Sequence, residues 1–422
     1  MKMISKSLKT ALLSALLLIP AIANAGWVKT TNGLSADHLG EKLSITFINS
    51  DVVRVMYVPE GEMIENETNV LVDYPTSKVK IKYSEDNESV KMKSEKLTVT
   101  VSKKSGAVQI FDAEGNILMQ ENGSKPRTSE QVDVRNVVYD DSKSTIEKTA
   151  NGDVKISEIA SAQTVDQAWK SRVNFVWQKG EALYGLGSHQ EPHYNLRGTM
   201  QYLYQHNLKA TVPVLMSSLG YGLLFNVGST MEFHDDEAGS YMEMHAVKSI
   251  DYFFMYGPEF DQVVDEFRTL TGQVPMLPRY LLGYVQSKER YANPHDIDSV
   301  LTRFRESQIP IDVIVQDWNY WNPSWWGHKK FYEKSYPNPD KMIKGVHDKN
   351  AKFMLSIWPT ANGDEAELMD PLGYTLGRGI YDAVYGLGQP VLRRHLRVWF
   401  FRDSRDCHVF GYLCVLACRS YN

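Results

Sequence analysis

The chain of 422 residues sets 46 Lys and Arg against 51 Asp and Glu, a net charge of −5, with 43% hydrophobic residues. The charges are interspersed, so no basic stripe marks a nucleic-acid or anionic membrane surface, and the length predicts two or three domains rather than one. All three cysteines (Cys407, Cys414, Cys418) stand in the last sixteen residues, which is not a disulfide framework, so the cores must hold without cross-links.

In chain order, Lys2, Lys6 and Lys9 precede an apolar run from Ala11 to Ile22, and Ala23-Asn24-Ala25 has the A-x-A form of a cleavage site. Residues 1–25 therefore read as a signal peptide. The run is short of the ~20 residues a membrane crossing needs, and no later segment is long and apolar enough to span. An exported protein, periplasmic or extracellular, is expected.

Residues 26–256 read as a β-sandwich. Leu43, Ile45 and Phe47 alternate with polar residues, as do Leu97, Val99 and Val101. Short strands are predicted at Val108–Phe111, Val132–Val134, Val154–Ile156 and Val173–Trp177, with hairpin chemistry at Asp112–Asn116. From residue 257 the period changes. Phe260, Val263, Val264, Phe267 and Leu270 recur at helical spacing before Thr271-Gly272. Three strand and helix units are then predicted, with strands at Leu281–Ser287, Ile311–Asp317 and Lys352–Trp358 and helices starting at Pro294 and Pro339. That alternation predicts the first part of a (β/α)8 barrel over residues 257–384. A complete barrel takes ~250 residues. Residues 385–422 have six Arg, no Lys and only two acids, Asp403 and Asp406. They read as an out-of-frame or non-native tail to a truncated enzyme, the alternative being a genuine C-terminal helix of unusual composition.

The stretch Ile311–Trp321, followed by Trp325-Trp326-Gly327, carries most of the chemistry. A β-branched run ends in Asp317 and opens into a cluster of aromatic rings. Parallel sheets place ligand chemistry at the carboxyl ends of their strands. A carboxylate there accepts hydrogen bonds from sugar hydroxyls while flat rings cover C–H faces. The competing structural role is a strand-terminal Asp that caps the next element. Asp312, at the strand's start, reads as structural. The acidic run Asp364-Glu365-Ala366-Glu367 reads as a solvated loop. His189, His193 and His206 lack metal-ligand spacing, and no Gly-rich segment sits between a strand and a helix, so neither metal nor cofactor is expected.

Several blocks occur in an order that resembles the glycoside hydrolase family 31 α-glycosidases, in particular the α-xylosidase-like members. They include Leu183–Gln190, Asn195–Gly198, Leu203–Asn207, Gly220–Leu224, Leu277–Tyr280, Gln286–Tyr291, Asp312–Trp318, Tyr336–Pro339 and Ser356–Pro359. The resemblance covers about residues 180–384. It implies retaining, exo-acting hydrolysis of non-reducing terminal α-linked xylose or glucose, with an oligosaccharide or glycoside as substrate. It implies that Asp317 binds hydroxyls of the terminal sugar, that Trp358 lines the same subsite, and that Trp318 and the loop carrying Trp321 shape the pocket. By the same likeness Gln190 and Asn195 lie on a loop that reaches over the barrel mouth. The family's nucleophile and acid/base are expected beyond residue 384, so no catalytic carboxylate is assigned. The alternative is a non-catalytic carbohydrate-binding or scaffold protein, and the oligomeric state is open.

Overall fold

The computed structural model describes residues 26–38, 40–61, 70–149, 152–204, 209–325, 327–357, 364–369, 407–410 and 414–418. The signal-peptide reading of residues 1–25 lies outside them. Among the described residues no helix is long and apolar enough to cross a membrane.

Residues 26–256 form three antiparallel sheets. The largest has eight strands, in spatial order Gly26–Lys29, Gly33–His38, Glu41–Phe47, Val52–Val58, Ile250–Tyr256, Tyr221–Phe225, Ala210–Ser217 and Leu183–Ser188. A second has Arg127–Thr149, Gly152–Asn174, Gly239–Val247, Met231–Asp236 and Met200–Leu203, and the third is a five-stranded meander from Lys82 to Gln120. The alternation visible in sequence is the reason they pack. Leu43, Ile45 and Phe47 are buried, and one apolar core joins Phe47, Val55, Leu223 and Phe254 of the first sheet to Val173 and Met242 of the second and Met92, Val99 and Ile110 of the third.

The first sheet closes between its fourth and fifth strands, where Val52–Val58 meets Ile250–Tyr256. Arg54 Nε and Nη2 donate to Asp251 at 2.9 and 2.8 Å, and Asn226 Nδ2 donates to the same carboxylate at 2.7 Å. A buried pair with its hydrogen bonds filled holds the register where apolar contact alone would not distinguish one strand from another.

Two features before the barrel portion depart from the sequence reading. The short strands expected at Val132–Val134 and Val154–Ile156 belong to a ribbon of two 23-residue strands, Arg127–Thr149 and Gly152–Asn174, with three register shifts along it. Its sequence is polar with little alternation, and its pairing rests on backbone hydrogen bonds that periodicity does not report. The helix Phe260–Thr271, assigned with 257–384 to the barrel, packs on the sandwich instead. Val263 and Leu270 are buried against Ile48, Val52, Phe253 and Met255, and the amide of Val72 donates to Leu270 O at 3.0 Å.

The barrel portion starts with a 3-10 turn, Arg279–Leu282, and a two-residue strand, Val285–Gln286, shorter than the strand expected over Leu281–Ser287. Val285–Gln286, Val313–Gln316 and Lys352–Ile357 pair in parallel. The intervening helices are Pro294–Glu306 and Pro339–Asp348. Each begins with Pro after an Asn cap: Asn293 accepts from the amide of Asp296, and Asn338 from that of Lys341. Their buried residues Ile297, Leu301, Met342 and Val346 face Ile314 and Phe353. Two more strands, Cys407–Phe410 and Cys414–Cys418, form a hairpin whose second strand pairs antiparallel with Lys352–Ile357. They fall within 385–422, the span read as a non-native tail, and they occupy the sheet edge that three parallel strands leave open. A (β/α)8 barrel has a parallel strand in that position.

Candidate functional site

Strand alternation decides which way the candidate acid points. Val313 and Val315 cluster with Met354, Tyr280 and Leu281, whereas Ile314 packs with the two helices. Carried forward, the alternation brings Asp317 to the face of Val313 and Val315, away from the helices, at the carboxyl end of the strand. Asp317 is half-buried. Its backbone carbonyl accepts from Gln316 Nε2 at 3.1 Å, but its carboxylate has no hydrogen bond or ion pair among the described residues. A capping Asp would accept a nearby amide. No described residue occupies the acceptor sites of this one.

Trp318 is half-buried, with its ring centroid 6.4 Å from that of Trp321, and the guanidinium of Arg290 lies 5.5 Å from it. Asn319 follows with φ 63°, a left-handed conformation that Asn tolerates, and this turns the chain sharply out of the strand. Trp321 does not take the pocket-lining place the resemblance implies. It is 2% exposed and lies in the core cluster beside Tyr320, edge-on at 5.1 Å, so it anchors the loop and offers no open face to a sugar. The Tyr320 hydroxyl is buried with no hydrogen-bond partner among the described residues, and burial pushes its pKa well above the phenol range. Trp358 lies outside the described residues.

The loop continues to a clamp that the sequence reading missed. Asp364–Met369 is a short helix rather than a solvated loop. Asp364 Oδ1 lies 2.6 Å from Nε2 of the buried His328, and Lys330 Nζ also contacts its carboxylate. Lys330 first, and His328 after it, hold the Asp364 carboxyl at about 2. Glu365 accepts from the amide and the ammonium of Lys329, at 2.9 and 3.2 Å. The edge of Trp325 meets His328 at 5.0 Å. The loop after the second barrel strand is thus tied to the helix after the third. No local pattern marks these pairs, because the partners are 34 to 36 residues apart.

Asp312 is structural, as expected. Its Oδ2 accepts from the amide of Tyr284 at 3.2 Å, and a Cβ at Gly283 would stand 2.0 Å from that oxygen. On the sandwich, Asn195 Oδ1 accepts from the amides of Leu183 and Arg197, so it shapes its own loop, while Gln190 is exposed. That loop follows a bulge in which Gly185, Leu186 and Gly187 all have positive φ. A Cβ at Gly187 would sit 2.0 Å from the Ala210 carbonyl oxygen.

Among the described residues, Glu232, Glu243 and His245 bring potential metal-ligating atoms within 4.8 Å of one another. Each carboxylate there already has partners in the protein. Glu243 pairs with Lys170 at 2.9 Å and Arg172 at 2.6 Å, and Glu232 lies 3.2 Å from a ring nitrogen of both His234 and His245. We read it as an ion network on one sheet face.

With this geometry in place, comparison with known proteins decides the family. The glycosyl hydrolases family 31 TIM-barrel domain matches residues 274–383, and the glycosyl hydrolase 31 N-terminal galactose mutarotase-like domain matches residues 42–234. The chain belongs to glycosyl hydrolase family 31. An α-xylosidase of Saccharolobus solfataricus is 34% identical over 340 residues, covering 77% of this chain and 41% of the relative. The crystal structure of a family 31 α-xylosidase from a soil metagenome, complexed with xylose, superimposes with a TM-score of 0.66 at 25% identity, over 83% of this chain and 50% of that one. The α-xylosidase of Xanthomonas citri shares the fold, at 18% identity and a TM-score of 0.66, over 93% and 54%. The chain therefore spans about two fifths of its curated relative and about half of these structures. The β-rich unit before the barrel is a family 31 galactose mutarotase-like domain, and the barrel strands are the start of the family's TIM barrel.

Proposed function

We propose that this chain holds the non-reducing terminal sugar of an α-linked glycoside, with xylose or glucose in the subsite. The carboxylate of Asp317, without a hydrogen bond or ion pair among the described residues and at the carboxyl end of the second barrel strand, one residue before Trp318, carries this reading. A carboxylate that accepts no hydrogen bond from the described residues can accept two from vicinal hydroxyls, and the indole of the next residue would supply an apolar wall for ring C–H groups. Trp358, expected beside the same sugar, completes the wall in this proposal. The α-xylosidase relatives favour xylose over glucose.

Retaining hydrolysis also needs a nucleophile and an acid/base about 5 Å apart. Neither group is assigned among the described residues, and we propose that Asp317 binds the sugar and is not one of the two. The second reading, a non-catalytic carbohydrate-binding or scaffold protein, differs in expecting no turnover. We further propose export to the periplasm or the exterior through residues 1–25, which Edman sequencing of secreted protein starting at Gly26 would support.

The test is release of p-nitrophenol from the α-xyloside and α-glucoside by purified protein, alongside calorimetric titration with the methyl glycosides. Saturable binding is the expected result. Robust turnover would refute the non-catalytic reading, and absence of binding would refute the sugar reading itself.

A further inference from the structure

We propose that Arg290 is a positioning residue for the sugar site, its guanidinium fixing the indole of Trp318 and through it the wall beside Asp317. The inference rests on the sugar reading above. Arg290 stands on the loop after the first barrel strand, and Trp318 on the loop after the second, so their contact adds to the Tyr336–Tyr291 hydrogen bond that already links the two loops.

The base of Arg290 is rigid. Tyr291 is 1% exposed, its carbonyl accepts from the Tyr336 hydroxyl, and its own hydroxyl accepts from Gln286 Nε2 at 3.4 Å. The side chain itself is committed to no carboxylate. Arg290 is exposed and makes no hydrogen bond or ion pair among the described residues, while its Cζ lies 5.5 Å from the centre of the Trp318 ring. A guanidinium over an indole is attracted by the ring's negative face, and its edge N–H groups stay available. Trp318 is then bracketed, with the buried Trp321 on one side and Arg290 on another, and the left-handed turn at Asn319 fixes its exit from the strand. A ring held before the sugar arrives costs no ordering on binding.

Five variants test this: Arg290→Met, Arg290→Lys, Trp318→Phe, and each of the first two combined with Trp318→Phe. Methyl α-xyloside and methyl α-glucoside affinities are measured by calorimetry. Trp318 is followed by fluorine NMR of 5-fluorotryptophan-labelled protein, its resonance assigned by its loss in Trp318→Phe. Arg290→Met is expected to weaken sugar binding about 2- to 30-fold and to shift or broaden the Trp318 signal, with Arg290→Lys recovering most of both. In the Trp318→Phe background, Arg290→Met should produce little further loss of affinity. A Trp318 resonance unmoved by Arg290→Met would overturn the inference and leave the sugar reading standing. So would an equal loss of affinity in both backgrounds. No sugar binding by the unaltered chain would overturn the reading and Arg290's role in it together.

Discussion

Substitution of Asp317 separates a ligand-binding carboxylate from a structural cap, because the two roles predict opposite results in two assays. Its carboxylate makes no hydrogen bond or ion pair to the described residues, so removing it takes away none of their polar contacts. Asp317→Ala should therefore change stability by no more than about 0.5 kcal/mol, the ordinary range for substitutions that break nothing. If Asp317 capped the following loop, the same change would cost about 0.5–2 kcal/mol. Ligand affinity should behave in the reverse way. A hydrogen bond to a charged acceptor contributes about 1.5–3 kcal/mol, against about 0.5–1.5 for a neutral one. Asp317→Asn, which keeps the shape, should then weaken methyl α-xyloside binding roughly 5- to 50-fold, and Asp317→Ala should weaken it further. Calorimetric titration reads the affinity. Because the chain has more than one domain, a single unfolding free energy is not defined, and the thermal midpoint of the barrel transition serves for stability. A lowered midpoint with sugar affinity intact in Asp317→Ala would refute the argument and establish the cap.

The remaining predictions probe the frame around the site. Asp251→Ala removes the buried carboxylate paired with Arg54 and should destabilise the sandwich by about 3–5 kcal/mol, seen as an early thermal transition; a shift within error would mean the pair does not close the sheet. Gly187→Ala places a Cβ against the Ala210 carbonyl at a φ of 98° and should cost more than about 2 kcal/mol, with Gly187→Ser no better; unchanged stability would show that the bulge can relax. Leu270→Ala should cost about 2–5 kcal/mol and expose the helix Phe260–Thr271 to proteolysis, whereas resistance to cleavage would place that helix's anchorage elsewhere. The Asp364 carboxyl, held at about 2 by Lys330 and His328, is depressed below its unfolded value of 3.8. Its contribution is therefore fully present above 3.8 and lost as the pH falls through about 2. Backbone amides of residues 327–330 should exchange faster between pH 4 and pH 2, beyond the intrinsic change with pH, and a constant protection factor would exclude the clamp.

How much could be read beforehand depends on the range over which each cause acts. Strand alternation, the Asn-Pro helix starts at Asn293 and Asn338, and the strand ending in Asp317 are local patterns, so the sequence alone determined the sandwich, the parallel units and the acid. Linear blocks such as Gln286–Tyr291 and Asp312–Trp318 carried the family likeness for the same reason. Other features belong to the tertiary structure, because their partners are distant in sequence. The Arg54–Asp251 closure spans 197 residues, and the Asp364 and Glu365 clamp spans 34 to 36. Periodicity showed that Phe260–Thr271 has an apolar face but not that the sandwich would receive it. Trp318 and Trp321 are three residues apart and alike in chemistry, and only packing separates them: Trp321 is driven into the apolar core, whereas Trp318 stays half-buried under Arg290 and beside a carboxylate that no described protein group has claimed.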